Sequence, residues 1–242
     1  MLKVELTKNY AGVTISGDYK DLNCLYDSIS SLISGEYTNI GEYIMQNHIY
    51  GFLYDVRHAY QGAREIELID NEFDEYKREY FSIKKKEVTD KNLYFSFNYL
   101  LTDLLLDMAL IKYFMNKVDK KENDIYNANI NMVNYFYSIV LHSLSKMLTK
   151  IKFNKVKKGL LNFVVFDTSF IPQWFDLLSI NYAKMTKQKR EKEFMHIADK
   201  IYNYLDYKDY YDMKLQIEKI CDERKCTLDD IYYDDYPEEI DW

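Results

Sequence analysis

Two prolines punctuate the 242 residues of this chain, and seven glycines are its other strong breakpoints. Proline removes a backbone donor and glycine frees the left-handed region, so helices and strands tend to end at them. Breaks this rare argue against a sandwich of many short strands and for long helices with few connections. Apolar residues make up 48% of the chain, which supplies the core such helices need.

Where the spacing of apolar residues changes, the expected element changes with it. Residues 2–6 and 12–16 alternate, with Leu2, Val4, Leu6, Val13 and Ile15 on one face, and Asn9 to Gly12 supplies a turn between them. Asp18 follows Gly17 as a cap for a helix carrying Leu22, Leu25, Ile29, Leu32 and Ile33, which ends at Gly35. A second helix runs from about Ile40 to Gln61 on Met45, Ile49, Phe52, Leu53, Val56 and Tyr60. After Gly62 the period returns to two from Arg64 to Ile69, and again at Leu93 to Phe97. The first part, residues 1–98, therefore reads β-β-α-α-β-β, a small antiparallel sheet with helices on one face. From there the period is helical, with helices at 99–117, 124–150, 170–185, 188–205 and 209–225. The expectation is an α+β fold whose helical part, residues 99–242, packs against the first part as one compact unit, since no linker separates them.

Charge and cysteine content narrow the setting. The net charge of −7 disfavours a protein that coats nucleic acid, because such proteins present a dominant positive field. Two basic runs are the local exceptions: Lys84 to Lys86, and the set Lys146, Lys150, Lys152, Lys155, Lys157 and Lys158. Each reads first as a solvated helix end or loop, and the second is the place where a nucleic acid would bind if one does. There is no apolar window of membrane-spanning length, and MLKVELTKNY has no apolar signal-peptide core, so no membrane partner is expected. Cys24, Cys221 and Cys226 are odd in number and form no framework, which points to reduced thiols in the cytoplasm. The 25 tyrosines read as half-buried aromatics rather than chemistry.

Candidate site residues gather in GFLYDVRHAYQGAREIEL, residues 51–68. On a helix centred on Ile49 and Val56, the side chains of Tyr54, Arg57, His58 and Gln61 fall opposite the core stripe, and Gly62 turns the chain so that Arg64 joins them. A merely wet face is usually lysine and glutamate; Tyr, Arg, His and Gln are enriched where a surface meets something. Guanidinium forks suit a carboxylate or phosphate, so Arg57, His58, Gln61 and Arg64 are the ligand-binding candidates. The competing reading is that both arginines pair with carboxylates of this chain, the acidic tail or Glu65 and Glu67 first; the expectation is a mixed case, with Arg64 structural and Arg57 and His58 functional.

Arg190 and His196 are weaker candidates. The run Arg190-Glu-Lys-Glu-Phe-Met-His196 resembles the Arg-spacer-His signature of HEPN ribonucleases, a helical family that cleaves RNA without metal. The N-terminal sheet departs from that family's pattern. No metal or cofactor is expected, because the four histidines show no ligand spacing and Cys221 and Cys226 lack a second pair. His142 in VLHSL reads as a buried, satisfied histidine, and Asp103 and Asp107 as the charged edge of a core-facing helix. Tyr236, Ile240 and Trp242 are expected to dock the acidic tail from Asp234 onward.

Three segments, GVTISGDYKDLNCLYDSI, YDVRHAYQGAREIEL and YPEEIDW, together resemble an uncharacterised bacterial domain-of-unknown-function family, with the middle one most specific. The resemblance implies a bacterial, intracellular protein and supplies no catalytic residues. The functional expectation is a soluble binding or regulatory protein, in phage defence or stress response, that recognises an anionic ligand or partner. A metal-independent ribonuclease and a structural subunit of a complex are the alternatives.

Overall fold

The computed structural model describes residues 1–35, 40–84, 89–118, 126–164, 169–233 and 235–242. Strands β1 (Lys3–Leu6) and β2 (Gly12–Gly17) form the expected hairpin, followed by α1 (Tyr19–Ile33) and α2 (Ile40–Tyr60). Asp18 caps α1 by a capping box with Asp21, which satisfies amides that the first turn leaves without partners. Strand β3 (Glu65–Asp70), helix α3 (Glu75–Ile83) and strand β4 (Lys91–Leu100) complete the sheet. Its order is β1-β2-β4-β3, antiparallel throughout, with Val4 opposite Ile15 and Ile15 opposite Phe97.

The helical part follows as α4 (Leu101–Lys117), α5 (Ala128–Met147), α6 (Lys150–Asn162), α7 (Ile171–Ala183), α8 (Lys187–Tyr202) and α9 (Lys208–Arg224). One apolar core draws on both parts, from Val4, Ile15 and Phe97 to Phe136, Trp174 and Ile201. Phe52 of α2 is a hub of it, with ring centroids 5.1 Å from Tyr99 and 5.7 Å from Phe136. The fold is α+β with the sheet on the N-terminal side.

Three differences from the sequence expectation have physical causes. The helix expected at 124–150 is α5, and a break at Leu148 and Thr149 starts the unforeseen α6, which Thr149 caps. Helix α3 went unseen because EYKREYFSI buries no residue and offers no apolar stripe; Asp74 caps it and Phe81 stacks on Phe73. Strand β3 has no buried face: Ile66 is 52% and Leu68 63% exposed. It pairs with Lys91–Ser96, whereas β2 pairs with the Phe95–Leu100 half of β4, so this hairpin runs out past the helical layer.

The tail docks. Arg190 donates to the Asp241 carbonyl at 2.6 Å, Asn9 donates to the Asp241 carboxylate at 2.6 Å, and Trp242 lies over Gly12. Ile240 and Trp242 are half-buried, while Tyr236 stays near the surface beside Ser179 and Asp103. Asp234 lies outside the described residues.

Candidate functional site

Helix α2 ends in a Schellman motif that builds the corner expected at Gly62. The Gly62 amide donates to Ala59 at 2.9 Å and the Ala63 amide to His58 at 2.9 Å, with Gly62 at φ +80°. That corner brings Arg64 back against α2, where its guanidinium meets Asp55 at 2.6 Å. The carboxylate partner of Arg64 is therefore Asp55, not Glu65, Glu67 or the tail. At 40% and 29% side-chain exposure this is a surface pair.

Arg57 has different surroundings. Its guanidinium lies 5.7 Å from the Tyr54 ring centroid, and among the described residues no carboxylate is within ion-pair distance of it. His58 stacks on the same Tyr54 ring, with centroids 3.8 Å apart. Its Nδ1 is 2.8 Å from the Tyr54 carbonyl, which can only accept, so Nδ1 carries the proton that donates there. Gln61 is exposed just past the helix end. The exposed rings of Tyr43, Tyr50 and Tyr54 continue this face back along α2 at helical spacing. Arg57, His58 and Gln61 thus share one outward face, and Arg64 is held to its Asp55 flank.

Behind α2 lies a polar network that the sequence reading placed on a charged edge. Asp107 of α4 is buried, accepts from the Tyr99 hydroxyl at 2.7 Å and stands 3.6 Å from His48 Nε2. One turn earlier, Asp103 accepts from the Ser179 hydroxyl, which in turn accepts from the Thr102 hydroxyl at 2.8 Å. Burial pushes the Asp103 carboxyl up to about 7, with Asp176 and Asp55 adding repulsion against the pull of Ser179. Burial also lifts Asp107 well above the carboxylate range, and lowers His48 to about 4. Both shifts favour the neutral forms, and Asp107 Oδ1 and His48 Nε2 face each other buried and without a hydrogen-bond partner. His48 is half-buried with its Nε2 enclosed, whereas His142 is exposed, on the opposite side of α5 from Val140 and Leu144.

Arg190 and His196 are not brought together. Arg190 is 0% exposed and donates to the carbonyls of Tyr182, Ala183, Asn9 and Asp241, at 3.2, 2.7, 3.0 and 2.6 Å. It joins the end of α7, the first turn and the tail. His196 is exposed on α8, edge-on to Tyr207 at 5.6 Å. It borders a cleft of about 610 Å³ between α6 and α8, into which Lys155 and Lys158 reach. Lys146, Lys150, Lys152 and Lys157 are exposed nearby in sequence; of the other basic run, Lys84 is exposed and Lys85 and Lys86 lie outside the described residues.

Among the described residues, no group of His, Cys, Asp and Glu is placed to hold a metal, and no helix is long and apolar enough to cross a membrane. Cys24, Cys221 and Cys226 are free thiols. The fold and the outward Arg-His-Tyr face mark an α+β protein with a built surface on α2. The chain belongs to the DUF6904 family, a domain of unknown function, whose match runs over residues 2–242. No curated protein and no solved structure matches it.

Proposed function

We propose that this chain is a binding protein that recognises an acidic partner protein through the exposed face of α2, with Arg57 as the anchor and His58 and Gln61 beside it. The observation that carries this reading is the contrast between two neighbouring arginines. Arg64 is neutralised by Asp55, whereas Arg57 rests against Tyr54 with no carboxylate of its own among the described residues. A guanidinium positioned on a ring and left without a counter-charge is prepared for a carboxylate from outside. Tyr43, Tyr50 and Tyr54 add the aromatic area that protein interfaces favour. Free thiols at all three cysteines fit the reducing, cytoplasmic setting we assign to this role, and a bacterial defence or stress pathway is the context we propose.

Calorimetric titration of a glutamate-rich peptide into the wild type and Arg57→Ala tests it. Loss of one charge-assisted contact should weaken binding by about tenfold or more. A lysine-rich peptide of the same length should not bind. Equal affinities for wild type and Arg57→Ala would sink the proposal.

A further inference from the structure

Two of the three cysteines meet at the end of α9, outside the α2 face. Helix α9 runs to Arg224 and closes on Lys225, whose left-handed backbone, at φ +53°, turns the chain back. The Cys226 amide then donates to the Cys221 carbonyl at 3.2 Å, and the Lys225 amide donates to the same oxygen. Such a Schellman end sets the side chains of the two bonded residues against each other, a contact that two apolar residues often fill. Here it holds two thiols, in hydrogen-bonding contact with each other.

The backbone spacing suits a bridge. Bond lengths on either side of the 3.2 Å contact cap the Cα–Cα separation of Cys221 and Cys226 at about 7 Å. An amide hydrogen points away from its own Cα at an angle, so the path is bent and the separation falls within the roughly 4.4–6.8 Å that disulfides span. Both cysteines are half-buried and border a surface cleft with Phe170, Leu228, Glu218 and Asp222, so a small solute reaches the sulfurs. Burial, the contact with Cys226 and the charges of Asp222 and Asp230 hold the Cys221 proton more tightly than usual. Cys226 is therefore the thiol placed to react first, and Cys221 the one that resolves it. The carboxylates of Glu218 and Asp222 also disfavour an anionic oxidant such as glutathione disulfide.

We propose that Cys221 and Cys226 form a reversible oxidation site, which a small uncharged hydroperoxide converts to an intramolecular disulfide. The Cys226 thiolate attacks one peroxide oxygen. The S–O bond forms as the O–O bond breaks, leaving a sulfenic acid and a hydroxide that the proton lost by Cys226 neutralises. Cys221 then attacks the Cys226 sulfur. The S–S bond forms, the S–O bond breaks, and the departing hydroxide takes up the Cys221 proton as water. Two thiols give up two electrons, and one hydrogen peroxide becomes two waters. A dithiol reductant restores the pair by exchange. The bridge fixes the turn at Lys225, and with it the start of the segment whose Leu228 and Ile231 carbonyls accept from Gln173 of α7 at 3.2 and 3.1 Å.

The test adds a limiting dose of hydrogen peroxide to the reduced full chain, then counts thiols by alkylation and maps crosslinks by peptide mass spectrometry. The free thiols should fall from three to one, with the 221–226 crosslink as the main product and Cys24 still alkylated. Dithiothreitol should restore all three. Cys221→Ser should expose the intermediate, so that dimedone captures the Cys226 sulfenic acid about tenfold more than in wild type. That readout separates a resolving thiol from a mere filler at a helix end. Equimolar glutathione disulfide should form the bridge about tenfold more slowly than peroxide. The proposal is overturned if no 221–226 crosslink forms, if Cys24 is the main site of oxidation, or if dimedone captures Cys226 equally with and without Cys221. A bridge that forms as fast or faster with glutathione disulfide overturns the choice of oxidant.

Discussion

Replacing Asp103 by asparagine should change how stability depends on pH more than it changes stability itself. The carboxyl titrates near 7 in the folded chain, against about 3.9 when unfolded. A folded carboxyl with a raised pKa keeps a proton that the unfolded chain releases, so its contribution is full below about pH 4 and is lost as pH rises to about 7. Three units at about 1.36 kcal/mol each give ~4 kcal/mol; Asp103 retains a fringe of exposure, so ~2–4 kcal/mol is the expected loss. Asparagine keeps the oxygen that accepts from Ser179 and has no charge to bury. Urea unfolding of both proteins from pH 4 to pH 8 reads the difference. The variant should be close to wild type near pH 4 and more stable by ~2–4 kcal/mol near pH 8. Two curves separated by a constant offset would refute the reasoning, because they would mean Asp103 has the same pKa folded and unfolded.

Three further outcomes are expected. Arg190→Ala should cost ~3–5 kcal/mol in urea unfolding, because a buried cation is removed and four carbonyls lose their donor; a loss under ~1 kcal/mol would show that water replaces the guanidinium freely. Deleting residues 235–242 should lower the melting temperature, and combined with Arg190→Ala it should cost less than the two changes added, since both act through Asp241. An additive double variant would separate the tail from Arg190. Arg64→Ala should change stability by no more than ~1 kcal/mol, the scale of an exposed ion pair, and a larger loss in thermal melts would place the Asp55 pair in the core instead.

Much of this architecture is legible in the chain because its rare breakpoints carry specific jobs. Asp18 caps α1 and Gly62 closes α2 where their chemistry requires, and both were readable from local sequence. Burial was harder to read, because it follows helix face rather than neighbouring residues. His142 sits among Val140, Leu141 and Leu144 yet points outward, while His48, among polar neighbours, has its Nε2 buried. Arg190 lies one turn before Phe194 on the buried stripe of α8, a position that the surrounding charges disguised. Asp103 and Asp107 did leave a signal, two carboxylates in an otherwise apolar helix, but α7 and β4 supply the partners that turn them into a network. The closeness of Cys221 and Cys226 was visible in the chain; the left-handed turn that sets them together was not, because lysine rather than glycine occupies it.

The central claim is that the α2 face, anchored by Arg57, receives an acidic partner. An NMR titration with the glutamate-rich peptide, following the ring protons of His58 and the tyrosines, locates the contact directly. Shifts should concentrate on His58, Tyr54 and Tyr50 and vanish in Arg57→Ala. Shifts at His196 and Tyr207 with none at His58 would contradict the account.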